Sequence, residues 1–371
     1  MKRAQRMTAP VRELLGVDIP VVAFSHSRAV VAAVSLAGGL GMFGAARFDP
    51  DELDEHLGWI DSQVGGRPYG VDVVMAASHV GGDTDDKAAL RAALPPENRA
   101  FVARLRERFA IPPLSEDRRG REHLTGTHAR ARRQVEVALA HPARLLVSAL
   151  GPLPQDVARR AHSSGRLVGG LCGSAEQARA HVEAGADLVV AQGTEAGGHT
   201  GELATLVLVP EVVDSVVPVP VLAAGGIACG RQMAAALALG AAGVWTGSMW
   251  LVTEESDVDP VVREKLLAAR ARDAVRSRCS TGKPVRQLRT PWVEAWEEPD
   301  APRPLPMPLQ ELLVYDAVKA IAEHRVVALM GTPVGQVVGS LHHVRAARDV
   351  LHEMIDECER TLDALCETPM P

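Results

Sequence analysis

Eight short runs rich in Val, Leu and Ala recur along the chain, each bounded by Gly, Ser or Pro and followed by an amphipathic stretch. They are Pro20–Ser25, Gly41–Ala45, Tyr69–Met75, Leu145–Leu150, Arg166–Leu171, Leu188–Gln192, Val219–Ala224 and Gly243–Thr246. Apolar runs without alternation read as strands buried on both faces, and strands that alternate with helices pair in parallel. Eight is also the number that closes a (β/α) barrel.

The helices between the runs carry their own start and stop chemistry. Ser174 caps a helix that ends at Gly185, and Arg231–Leu239 followed by Gly240 repeats the plan. Two stretches break the alternation. Residues 83–133 are charged and interrupted at Pro95–Pro96 and Pro112–Pro113, which predicts a helical insertion between the third and fourth strands. From Glu254 onward the chain reads as a charged helix to Arg278, then Gly/Pro-rich loops to Pro308, and finally an amphipathic helix over roughly His343–Leu365. The expected organisation is a barrel over residues 10–255 carrying that insertion, a cap over 256–340, and a C-terminal helix within 341–371 packed on the barrel.

Composition narrows the function classes. A formal charge of -6 argues against a nucleic-acid or anionic-membrane surface as partner. Five Phe, five Trp and two Tyr leave too few rings for a stacking platform along single-stranded nucleic acid. The five cysteines (Cys172, Cys229, Cys279, Cys358 and Cys366) show no metal spacing and read as reduced thiols of a cytoplasmic protein. Cys172 and Cys229 lie near strand ends and are expected to be buried and inert. The basic start lacks the apolar segment of an export signal, and no run of about 18 apolar residues could span a bilayer.

The strongest chemical signal is QGTEAGGHTG, residues 192–201, directly after a strand. In a parallel barrel that strand end opens on the catalytic face, and the glycines allow close approach of backbone to ligand. His199 at its tip is a candidate base or proton donor. Two further Gly turns follow the last two strands, LAAGGIACG at 222–230 and VWTGS at 244–248. Either alone could mark tight helix–sheet packing, but in succession they favour a phosphate cup made of backbone N–H groups. The chain has no G-x-x-x-x-G-K-[ST] loop. The AGGLGMFG run at 37–44 precedes its strand rather than following one, so it is a helix stop rather than a dinucleotide fingerprint.

These motifs, taken with PVVAFSHS at 20–27, the AGGLGMFGA segment and Gly70–Asp72, resemble the flavin-binding barrel of nitronate monooxygenases, formerly called 2-nitropropane dioxygenases. The resemblance covers roughly residues 10–255 plus the closing helix. It implies a (β/α)8 TIM barrel with a helical insertion and C-terminal cap, holding FMN non-covalently. It also implies oxidation of alkyl nitronates with O2 to a carbonyl compound and nitrite. By motif, Gly225, Gly226, Gly247 and Ser248 would bind the phosphate, Gln192 and Gly198 would lie against the flavin, and Ala23, Phe24 and Ser25 would line the ring. His199 matches the active-site histidine.

Three departures bear on the substrate. Asp72 stands where the family usually has Asn beside the flavin, and a carboxylate there would oppose negative charge on the reduced ring unless protonated or paired. Ala23-Phe-Ser replaces the common Pro-Met-Ala-Gly, and the insertion and C-terminal part lengthen the chain. The EAGGH motif also occurs in flavin-dependent enoyl reductases, so the alternative is an NAD(P)H-dependent enzyme acting on an acyl-carrier-protein or CoA thioester. Thr281–Lys283 and Arg286 are then candidates for a cofactor's phosphates. The insertion's Arg118, Arg119, Arg121, Arg130, Arg132 and Arg133 read better as a solvated face. A third possibility is a flavin- or phosphate-binding barrel without turnover, which an intact His199 argues against.

Overall fold

In the computed structural model, residues 4, 7–77, 87–116, 118 and 127–367 are described. Among the described residues eleven strands form: β1 (Val21–Ser25), β2 (Leu40–Gly44), β3 (Tyr69–Val74), β4 (Leu145–Ala149), β5 (Leu167–Cys172), β6 (Leu188–Gln192), β7 (Gly198–His199), β8 (Val221–Ala224), β9 (Gly243–Thr246), β10 (Ala274–Ser277) and β11 (Val285–Leu288). Eight of them close a parallel barrel in the order β1-β2-β3-β4-β5-β6-β8-β9, with β1 completing the circle through Val21 opposite Val244 and Ala23 opposite Thr246. The fold is the (β/α)8 TIM barrel, and each barrel strand coincides with an apolar run to within two residues.

Alternation along the strands sorts side chains into two cores. Val22, Met42, Val147, Val190, Leu222 and Trp245 fill the barrel, while Val21, Phe43, Val71, Val189, Ala223 and Val244 pack outward against the helices. Local chemistry sets the helix ends. Asp49 accepts from Glu52 N at 2.9 Å and Glu52 returns to Asp49 N at 3.0 Å, a reciprocal cap on Pro50–Gln63. The C-terminal helix Ala347–Glu367 lies along Gly230–Ala238. A Cβ at Gly230 would come within 2.3 Å of Cys358 N and 2.4 Å of Met354 O, so only glycine permits that approach.

Two features depart from the sequence reading. The charged helix expected up to Arg278 is only Pro260–Ala268, after which β10 and β11 pair antiparallel, and β11 pairs with β7 to make a three-stranded sheet beside the barrel. Four-residue strands that mix Arg with Val carry no period long enough to see. A helix, Leu309–Glu323, also stands where no separate element is expected. Its Leu312, Leu313 and Ile321 share a further core, separate from those two, with Leu94, Phe101 and Leu105 of the insertion and with Trp292 and Trp296. His128–Ala140 packs against β3 and belongs to the helix layer of the barrel.

Candidate active site

The carboxyl ends of the barrel strands open on one face, and the side chains there are apolar apart from a few. Phe24 stacks on Trp245 with centroids 6.1 Å apart, and Ala224 lies in the same core. Gln192 and Asp72 add polar groups on the inward faces of β6 and β3. Ala23 turns its methyl group outward into the helix layer, so its contribution to any ligand site is through backbone. Ser25 is buried, and its hydroxyl accepts from Ser27 N at 3.0 Å, which uses it to shape the turn after β1.

The loop after β6 is held from three sides. Gln192 Nε2 donates to His199 O at 3.1 Å, and β7 pairs His199 with Val285 and Gly198 with Arg286. Glu195 accepts from Thr205 N at 3.0 Å and from Thr205 Oγ1 at 2.9 Å, capping the start of helix Thr205–Val216. Gln336 N donates to Glu195 O at 2.9 Å from the C-terminal side. Arg286 is buried and donates to Thr194 O and Ala274 O, so it clamps the loop rather than waiting for a phosphate.

His199 Nε2 and Thr281 Oγ1 are 2.9 Å apart. Burial, reinforced by the nearby Lys283 ammonium, pushes the His199 pKa down to about 4, so the imidazole is neutral at pH 7. Lys283 itself is held below the usual ammonium range by burial. A lone pair and an N–H are therefore both present on His199, beside a cation.

The two Gly turns leave adjacent strand ends, because β8 and β9 pair through Ala224 opposite Trp245. Gly225 and Gly226 have φ of +95° and +70°, and a Cβ on Gly225 would sit 3.0 Å from Gly193 O. At Gly247 an added Cβ would meet only Phe24 Cδ1, at 3.9 Å. Ser248 Oγ accepts from Gly335 N at 2.8 Å and keeps its hydrogen to donate. Gly335 in turn lies against Gly197, which joins this corner to the His199 loop.

Residues absent from the sequence-based candidates complete the mouth. His26 donates from Nδ1 to Gly44 O at 2.8 Å, and burial pushes its pKa to about 3. Its ring meets Phe24 edge-on at 5.2 Å. Arg47, just beyond β2, keeps an open surface yet is held below its ordinary pKa by the surrounding protein, with Asp257 as the offsetting charge. Ser27 donates from its hydroxyl to Asp257 and accepts from Asp257 N at 3.0 Å. Only HS in the quoted PVVAFSHS run could have signalled His26, and a single histidine carries little weight without its partners.

Of the insertion arginines, Arg130 is buried and donates to Phe48 O, Arg132 pairs with Asp156, and Arg119 and Arg121 lie outside the described residues. Cys172 is buried, and its thiol is pushed up to about 12. Cys229, expected to be buried, is only partly so, at the position just before helix Gly230–Ala238.

Among the described residues, no cluster of three or more His, Cys, Asp or Glu could hold a metal ion. No helix there is long and apolar enough to cross a membrane.

The profile of one family, nitronate monooxygenase, matches residues 13–357. The chain belongs to the nitronate monooxygenase family. It is an oxidoreductase of that family. It is 50% identical over 375 residues to Rv1533 of Mycobacterium tuberculosis, named as a monooxygenase, covering 97% of this chain and 98% of the relative. The solved nitroalkane oxidase from Streptomyces ansochromogenes superposes with TM-score 0.80 at 26% identity, over 96% of this chain and 99% of that one. FabK from Thermotoga maritima superposes with TM-score 0.72 at 29% identity, over 96% and 98% of the two chains. Nitronate monooxygenase family membership thus extends across the barrel and the C-terminal segments that clamp the His199 loop.

Proposed function

We propose that the chain is an FMN-dependent oxidoreductase that oxidises alkyl nitronates with O2 to a carbonyl compound and nitrite. The observation that carries this reading is a neutral His199 at the barrel mouth, between the Thr281 hydroxyl and the Lys283 ammonium. A nitronate is already an anion. It needs a cation and hydrogen-bond donors for its oxygens rather than a strong base, and a histidine with a pKa of about 4 is a weak one. Lys283 supplies the charge, and the His199 N–H orients the oxygens.

The flavin fits the residues present. Gly225, Gly226, Gly247 and Ser248 would hold its phosphate, where Cβ atoms are lacking and one hydroxyl has a hydrogen to give. Phe24, Gln192, Gly198 and Asp72 would surround the ring, with Trp245 behind Phe24. Bound there, FMN supplies the electron-accepting and oxygen-reactive chemistry that side chains lack. The protein's part is to orient the substrate and exclude water.

A second reading is an NAD(P)H-dependent enoyl reductase acting on an acyl-carrier-protein or CoA thioester. The same edge supports it, since Lys283 and Arg276 flank the His199 loop and suit the phosphates of such ligands. Five free cysteines support a cytoplasmic setting.

The deciding experiment is anaerobic titration of the FMN-loaded protein. Loss of the oxidised-flavin band on adding an alkyl nitronate, with none on adding NADH or NADPH, is the expected result. Rapid bleaching by either nicotinamide would transfer the assignment to the reductase. Protein that stays colourless and takes up no FMN would overturn both.

A further inference from the structure

Asp72 is the least explained side chain in the barrel. Its neighbours on β3, Val71 and Val73, pack outward with the helix layer, and a Cβ on Gly70 would strike Met42 inside the barrel. Alternation therefore points Asp72 inward. The register sets it between Gly44 on β2 and Val147 on β4, neither of which offers a polar side-chain atom. It is 7% exposed, and its Oδ1 is buried with no hydrogen-bond partner among the described residues.

Polar groups at the other strand ends have neighbours of their own. Gln192 gives its amide to the His199 loop, and His26 donates to Gly44 O. His128, at the start of the helix after the insertion, bonds through Nε2 to Ala76 O just past β3. Arg47, beyond β2, has Asp257 as its offsetting charge. None of these forms an ion pair with Asp72. Burial alone acts on the carboxyl and raises its pKa well above the ordinary value.

An isolated carboxylate in such a place is costly, whereas a carboxylic acid offers one O–H donor and one carbonyl acceptor at far lower cost. Buried polar atoms in folded proteins nearly always find partners, so an orphan aimed into a ligand site marks the position of a ligand atom.

We propose that Asp72 is a neutral carboxylic acid whose O–H donates a hydrogen bond to an acceptor atom on the edge of the flavin ring. It fixes the ring without setting a negative charge against it. This rests on the flavin reading above. An amide of the same shape can replace the acid, since it too presents a donor and an acceptor, while an alkyl group cannot.

The test is infrared difference spectroscopy, wild type minus Asp72→Asn, on the flavin-free protein at pH 7 and again after adding FMN. FMN affinity is measured by fluorescence quenching for both proteins and for Asp72→Leu. A carbonyl band of a protonated carboxyl is expected in the flavin-free protein, moving to lower frequency when FMN binds. Asp72→Asn is expected to bind FMN within about threefold of wild type, and Asp72→Leu at least about tenfold more weakly, the worth of one buried hydrogen bond. Asp72→Asn is isosteric, so the infrared result stands even where Asp72→Leu fails to fold. Carboxylate bands in place of the acid band, with FMN still bound tightly, overturn the proposal and leave the flavin reading intact. An acid band in a protein that takes up no FMN overturns the flavin reading and the hydrogen bond with it.

Discussion

Arg286 Nε donates to Thr194 O at 2.8 Å, while Arg286 itself stands opposite Gly198 in the β11–β7 register. The same guanidinium reaches Ala274 O through Nη1 at 2.7 Å. One buried side chain thus ties β10, β11 and the His199 loop together. Replacing it by Leu leaves two carbonyls without their charged donor and is expected to cost about 1.5–3 kcal/mol of stability. Displacing the loop is expected to lower turnover of the proposed nitronate substrate by about tenfold or more, since catalytic groups tolerate little misplacement. Arg286→Lys, which keeps the charge but not the fork, should fall between. Thermal unfolding and steady-state turnover of the two variants measure this, and an Arg286→Leu enzyme with normal turnover would mean that Arg286 does not position the loop.

The two mouth histidines give the fold a defined acid sensitivity. His199 and His26 have folded pKa values of about 4 and about 3, both below the ordinary 6.5. An unfolded chain takes up these protons at a pH where the folded chain does not, so stability rises with pH across that interval. It is complete above about 6.5 and is lost as pH falls toward about 4 for His199 and about 3 for His26. His199→Gln should flatten the upper part of the slope, read from urea midpoints at several pH values. For the same reason the rate should carry no limb from His199 between about pH 6 and 8. A turnover limb near pH 6.5 that vanished in His199→Gln would contradict the burial-lowered value.

Much of this molecule is legible in the chain, and the reasons are physical. Barrel strands such as Leu188–Gln192 are buried on both faces, so hydrophobicity alone marks them. The helix over Ala175–Glu183 announces its ends through Ser174 and Gly185. By contrast, Ala274–Ser277 and Val285–Leu288 become strands only because they meet each other and the His199 loop, contacts that no local window contains. Arg286 looks like a phosphate ligand from its Gly/Pro surroundings, and only its burial against Thr194 O and Ala274 O shows the clamp. His26 and Arg47 likewise gain their place from tertiary neighbours, Gly44 O and Asp257. The candidates drawn from glycine motifs are brought together at adjacent strand ends, whereas Ala23 turns away, because strand alternation decides side-chain direction.

The proposed phosphate corner makes a simple demand at Gly225. Its φ of +95° lies where an L side chain is strained, and its Cβ would press to 3.0 Å from both Gly193 O and Thr205 Oγ1. Gly225→Ala should cost about 1–2 kcal/mol from backbone conformation alone. It should also weaken FMN binding by about tenfold or more, because the turn must move to relieve the contact. Fluorescence titration of FMN separates this from a global effect when paired with circular dichroism. A Gly225→Ala protein that folds and binds FMN as tightly as wild type would place the phosphate elsewhere.

The C-terminal helix should answer to Gly230. The atoms a Cβ would strike there, Cys358 N and Met354 O, are backbone, so no side-chain rotation can relieve the clash. Gly230 N also donates to Glu357 Oε2 at 2.6 Å, a bond that holds only at close approach. Gly230→Val is therefore expected to push helix Ala347–Glu367 off the barrel, losing about 1–3 kcal/mol or more. Limited proteolysis should then cut first within that helix, and the melting temperature should fall. Gly230 also begins the helix that follows Gly225 and Gly226, so the displacement reaches the phosphate corner, and FMN affinity should drop in the same variant. Unchanged proteolysis together with unchanged melting would mean that the two helices separate without cost, contrary to the packing of Met354 and Cys358 in the main core.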